Sequence, residues 1–124
     1  LLLNLRFPLE TDYLHATRYR KHDVGNNLSW LARPNTSLMN RTVLVVDDIF
    51  DEGYTLEAIC DYLKKSGAQK VYSVALLNKL HDRKVSYRPD FIGLNVEDRF
   101  LYGFGMDYRG YFRNIDGIYA VNNL

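Results

Sequence analysis

Residues 43–55 constrain this chain more than any other stretch. Val43 to Val46 is an unbroken apolar run rich in β-branched residues. Such a run predicts a strand buried on both faces, as in a parallel sheet under helices. Asp47 and Asp48 follow where that run gives out, and Asp51, Gly53 and Thr55 lie in the short turn after it. A helical pattern begins there. In open α/β sheets, ligands sit outside the carboxyl ends of the strands. A loop entering a helix also offers free N–H groups and a positive dipole end to a phosphate. The stretch thus pairs a phosphate cradle with carboxylates suited to hydroxyls, which implies a phosphorylated sugar as ligand.

Leu56, Ile59, Cys60 and Leu63 recur at i, i+3, i+4 and i+7, with Asp61, Lys64 and Lys65 on the opposite side. This predicts an amphipathic helix, closed by Gly67 with lysines in its last turn. Val71 to Leu77 predicts the next strand, and strand–helix–strand over this length implies a right-handed βαβ unit. Lys79 falls just past that strand, on the same edge as Asp47. Phe91 to Val96 predicts a further strand after Pro89-Asp90, and Phe100–Gly105 and Ile118–Val121 are short apolar pieces in a Tyr- and Gly-rich tail. Upstream, Asp12 to Arg18 alternates as one strand, with His15 read as a partly buried strand histidine. Residues 20–41 lose the pattern apart from a short strand at Leu28, Trp30 and Leu31; loops this long are usually functional lids or disordered linkers, with a solvated hairpin as the plainer alternative. His81-Asp82-Arg83-Lys84 reads as a solvated charged turn.

A chain of 124 residues is one domain with room for a real core. A formal net charge of +1 argues against a nucleic-acid or membrane surface built on bulk charge. The single cysteine, Cys60, falls on the apolar helix face and has no spaced Cys or His partner. It reads as a small core hydrophobe in a reducing cytoplasm rather than a metal ligand. No apolar run approaches 18 residues, so no membrane span is expected. Leu1 to Leu5 reads as the end of a helix, and the chain as an N-terminally incomplete domain.

The string from Val43 to Thr55 resembles the diphosphoribosyl-binding motif of type I phosphoribosyltransferases: apolar strand, two acids, two apolar residues, Asp, small residue, Gly, any residue, Thr. The complete string is far more specific than an acid pair at a strand end, which a generic βα turn also supplies. The tail from Glu97 to Arg113 (Glu-Asp-Arg-Phe-Leu-Tyr-Gly-Phe-Gly-Met-Asp-Tyr-Arg-Gly-Tyr-Phe-Arg) resembles the C-terminal signature of the hypoxanthine-guanine branch of that family. With Lys79 and Tyr87–Phe91, the resemblance runs from about Asp12 to Val121. It implies a three-layer α/β fold, mainly parallel, flanked by helices and closed by a small C-terminal cap. The family's first core strand and pyrophosphate loop would precede Leu1.

The resemblance also implies roles. Asp47 and Asp48 would meet the ribose hydroxyls, directly or through Mg²⁺. Backbone groups of Asp51, Glu52, Gly53, Tyr54 and Thr55, with the Thr55 hydroxyl, would hold the 5′-phosphate. Asp51 would face purine N7 as general base or acid. Lys79 would donate to the exocyclic oxygen at C6, Phe100 would stack on the base and the Leu101 backbone would meet its lower edge. Asp107 would help hold Mg²⁺ beside the purine site, and Arg113 would contact pyrophosphate. Arg18 and Tyr19 stand where the family's lid has Ser-Tyr. Glu52 departs from the usual Thr or Ser, and a carboxylate beside phosphate is expected to point away. The implied substrates are phosphoribosyl diphosphate and a 6-oxopurine; the implied assembly is a homodimer or homotetramer.

Two other readings meet the same residues. A nucleotide-sensing regulator of the same fold would have lost Asp51 or Lys79 or gained a DNA-binding segment; both residues are present and no basic recognition helix is visible in the sequence. A phosphoacceptor receiver wants its acid pair on the first strand and its lysine after a later strand-end Asp. Here Lys79 precedes every such Asp, so the order fails.

Overall fold

A computed structural model describes residues 1–18 and 28–122. Its chain falls into two compact units, Leu1–Ser37 and Leu38–Leu124.

The first unit begins with a 3₁₀ turn at Leu2–Asn4, in place of the expected helix end. Strands β1 (His15–Arg18) and β2 (Leu28–Ala32) pair antiparallel, with a bulge between His15 and Ala16. The ladder needs a partner, so β1 starts three residues later than its alternation suggested. His15 stands exposed, edge-on to Tyr13, not partly buried. Asp12 ties the unit together: its carboxylate accepts the backbone N–H groups of Thr36, Tyr13 and Asn35 at 2.7–2.8 Å. Those bonds, from Thr36 first and then Tyr13, hold its carboxyl below the ordinary carboxylate value. Arg18 ends β1, and Tyr19 lies outside the described residues.

The second unit is α/β. Strands β3 (Thr42–Phe50), β4 (Lys70–Leu80) and β5 (Phe91–Glu97) form a parallel sheet in that spatial order. Helix α1 (Tyr54–Lys65) connects the first two strands. It buries Leu56, Ala58, Ile59, Cys60 and Leu63, the stripe set by its 3.6-residue period. Gly67 takes the left-handed conformation (φ +101°) two residues past the helix, as the closing signal predicts.

Both β3 and β4 run further than their apolar cores. The ladder continues through Asp47↔Ala75, Ile49↔Leu77 and Phe50↔Asn78, so Asp47 and Asp48 lie within β3 rather than past it. Lys79 is likewise inside β4, opposite Val96 of β5. Register, not apolarity, sets the strand ends, because backbone pairing continues wherever the partner strand supplies it. The expected burial on both faces of β3 is corrected too: Val45 is buried while Leu44 and Val46 are exposed. Among the described residues, α1 is the one α-helix against this sheet.

The cap is built on β6 (Leu101–Tyr102) and β7 (Tyr119–Ala120), which pair antiparallel. Leu101 and Met106 pack on Leu77 of β4, with Ile49, Val96 and Ile118 around them, so the cap seats at the sheet's carboxyl end. Gly103 is required here. Its φ is +89°, and a Cβ would come within 2.3 Å of the Gly117 carbonyl oxygen.

Candidate active site

The carboxyl ends of β3 and β4 and the segments after them bring together most of the residues singled out above. Asp47 is half-buried, and its Oδ1 accepts the Asp48 N–H at 2.9 Å. Burial first, and then the negative charge of Asp48, push its carboxyl up to about 6. Asp48 is exposed.

After Phe50 the chain turns through Asp51-Glu52-Gly53 into α1. Gly53 is the helix N-cap residue, with φ +93°; a Cβ there would meet the Phe50 ring at 2.6 Å. No side chain caps the helix at this end. The turn is pinned from residues 81–90, the connection between β4 and β5. Lys84 Nζ donates to the Phe50 carbonyl at 3.2 Å and to Asn78 Oδ1 at 2.7 Å, and lies 4.2 Å over the Phe50 ring. The Val85 N–H donates to the Glu52 carbonyl at 3.0 Å. The Glu52 and Tyr54 side chains are exposed and Thr55 is half-buried.

Asp51 is the centre of the arrangement. Its Oδ2 lies 3.1 Å from Lys79 Nζ and its Oδ1 lies 2.6 Å from His81 Nε2. Burial alone would push the Asp51 carboxyl up. The hydrogen bonds from His81 and Lys79 and the charge of Lys79 outweigh it, and hold the carboxyl below the ordinary value.

His81 corrects the reading of residues 81–84 as a solvated turn. Its side chain is only 5% exposed and grips Asp51, and Lys84 is turned inward against Phe50. The missed signal was alternation. Residues i and i+2 share a face of a strand, so the alternation of β4, carried one residue past its end at Leu80, would set His81 on the side of Lys79. The tetrad's charge hid that pattern. Arg83 does fit the solvated reading, pairing with Asp98 at 2.9 Å on the surface.

In the cap, Leu101 is buried, and Phe100 is 54% exposed with its ring edge-on to Tyr108 at 5.6 Å. An open aromatic face is thus available for stacking. Asp107 and Arg113 hold each other, Oδ1 to Nη2, at 3.0 Å. Asp107 Oδ2 also accepts the Gly110 N–H, and Arg113 Nη1 donates to the Gly105 carbonyl.

Among the described residues, one group of His, Cys or acidic donors converges within 4.8 Å: Asp51, His81 and Asp98. Lys79 and Arg83 already neutralise its two carboxylates. Asp47, Asp48 and Asp107 form no closed cage. They suit a cation that keeps waters and takes one or two carboxylates beside substrate phosphates, the habit of Mg²⁺. No helix of the described residues is long and apolar enough to cross a membrane.

A parallel sheet with acids toward its carboxyl ends, a glycine-led turn into a helix and an aromatic-rich cap stand together where open α/β sheets bind their ligands. The profile of the phosphoribosyl transferase domain matches residues 3–109, and the chain belongs to that family. It is similar to the hypoxanthine-guanine phosphoribosyltransferase of Cricetulus griseus, 30% identical over 116 residues, which cover 93% of this chain and 53% of that protein. The human protein of the same name is 28% identical over a like span. The chain thus spans about half the length of the curated relatives it matches. Among solved structures it resembles a hypoxanthine phosphoribosyltransferase from Staphylococcus aureus, with a TM-score of 0.89, 25% identity and coverage of 98% of this chain and 66% of the other.

Proposed function

We propose that this site moves phosphoribose from phosphoribosyl diphosphate to hypoxanthine or guanine, giving IMP or GMP and pyrophosphate. The observation that carries the reading is the Asp51 carboxylate held by Lys79 at the sheet's carboxyl end, beside a glycine-led helix entry. The names of the curated relatives and of the Staphylococcus aureus structure support it.

In this reading the purine lies against Phe100, its lower edge toward the Leu101 backbone. Lys79 turns from Asp51 to the exocyclic oxygen at C6, which leaves a carboxylate oxygen of Asp51 free to take the ring proton. Adenine would offer an amino group to that lysine, and a buried unmatched donor pair strongly disfavours it. The N–H groups opening α1 and the Thr55 hydroxyl hold the 5′-phosphate. Asp47 and Asp48 hold the ribose hydroxyls and stabilise a sugar centre that turns cationic as its bond to pyrophosphate breaks. Arg113 stands for the pyrophosphate. Mg²⁺, when bound by Asp47, Asp48 or Asp107 with the substrate, neutralises leaving-group charge. The resemblance further implies a cytoplasmic homodimer or homotetramer, and the buried free thiol of Cys60 fits a reducing compartment.

The test is a spectrophotometric assay of the full-length protein with Mg²⁺, donor and each of hypoxanthine, guanine, xanthine and adenine. Nucleotide formed from hypoxanthine or guanine, abolished by Asp51→Asn, is the expected result. Turnover with adenine alone, or none with any base, overturns the reading.

A further inference from the structure

His81 is one of the most enclosed polar side chains near the site, and neither of its ring nitrogens is idle. Nε2 lies 2.6 Å from Asp51 Oδ1. Nδ1 accepts the backbone N–H of Arg83 at 3.2 Å. A backbone N–H can only donate, so Nδ1 must keep its lone pair. The ring proton therefore belongs on Nε2, aimed at the carboxylate. A backbone bond to one nitrogen sets the tautomer at the other, as second partners of histidines commonly do.

Lys79 holds Oδ2 and His81 holds Oδ1, but the two partners differ in kind. Lys79 sits on a long flexible stem, whereas the His81 ring is 5% exposed and fixed at both nitrogens. Resting on the transferase reading above, we propose that His81 is a positioning residue: a neutral Nε2–H donor that keeps one oxygen of Asp51 in place while Lys79 releases the other to the purine. The ring does not exchange a proton during the reaction. It fixes the rotamer of Asp51 when the lysine leaves, and it steadies the carboxylate form before proton transfer. A second lysine in its place would leave two mobile cations and no fixed oxygen.

The pairing makes a specific demand on the pH profile. The charged groups around this carboxylate are Lys79 on β4, Arg83 and Lys84 after it, and Asp98 after β5. Removing a neutral donor leaves all of those charges unchanged. In full-length protein, His81→Leu should lower kcat about tenfold. It should also move the acid limb of kcat/KM upward by about one pH unit, with KM for hypoxanthine little altered. His81→Gln offers an amide N–H near the same point and should restore much of both. Nitrogen-15 NMR of ligand-free wild-type protein should show the His81 ring protonated on Nε2 alone. An Nδ1–H tautomer overturns the proposal, as does a folded His81→Leu protein with unchanged kcat and acid limb, or failure of His81→Gln to improve on His81→Leu. A wild-type protein silent with every base overturns the transferase reading instead, and the ring spectrum then decides on its own whether His81 holds Asp51.

Discussion

Lys79 Nζ and Asp51 Oδ2 meet at 3.1 Å between strand β4 and the turn that follows β3. One belongs to the strand that receives the helix, the other to the turn that launches it. The two residues proposed to read the base and to take its proton are therefore partners before any ligand arrives. Lys79→Met should lower kcat/KM for hypoxanthine about 10²-fold, the scale of a lost hydrogen bond to a charged group. It should also raise the acid limb of the pH profile, because Asp51 loses a neighbour that holds its carboxyl down. Steady-state kinetics across pH 4–8 check both.

Asp47 gives a pH dependence of stability with the opposite sign from a paired carboxylate. Its folded-state value is raised, from 3.8 to about 6, so the folded protein binds its proton more tightly than the unfolded chain. Its contribution is favourable below about pH 4 and is lost as pH rises through about 6. The loss is on the order of 2–3 kcal/mol. Asp47→Asn keeps an oxygen for the Asp48 N–H and carries no charge. It should stabilise the protein by about 2 kcal/mol at pH 8 and by little at pH 4, measured by urea unfolding, while raising KM for the donor.

Gly53→Ala places a Cβ 2.6 Å from the Phe50 ring at a φ of +93°. Backbone strain and overpacking together should cost about 2–4 kcal/mol, seen as a lowered Tm. KM for the donor should rise, since the turn that opens α1 must shift.

Arg113→Met separates a rim pair from a structural one. The Asp107–Arg113 bridge has a 60% exposed guanidinium, so its loss should cost less than about 1 kcal/mol of stability. If Arg113 serves pyrophosphate, KM for the donor should still rise several-fold; unchanged donor KM removes that role.

Cys60 should resist thiol reagents in the folded protein. Burial pushes its thiol up, a hydrogen bond with Tyr87 only partly opposes this, and the residue is 2% exposed. Labelling of native protein should proceed at the rate of unfolding. Faster labelling would show that α1 opens locally.

Much of this was legible in the chain because its signals are local. The β3–α1–β4 unit follows from a β-branched run, a 3.6-residue stripe and Gly67. Asp51, Gly53 and Lys79 follow from spacing around it. What was not legible depends on pairing between distant segments. Strand ends are set by register, so Asp47, Asp48 and Lys79 lie inside strands that their apolar cores do not reach. His81 was masked by the charge of its neighbours, and its partner Asp51 is thirty residues away in the chain. The exposed side of β3 escaped notice because an apolar run reports that a face tolerates burial, not that something covers it.

The pinning of the turn by Lys84 and Val85 has a consequence for how such a protein varies. Phe50 and Glu52 lend their carbonyls to the same short connection that begins with His81. The turn proposed to hold the sugar phosphate and the connection that follows Lys79, the proposed reader of the base, are thus mechanically one piece. A change selected to relax base choice would reach the donor as well. Drift in either specificity is therefore expected in paired substitutions, one in each segment, rather than singly.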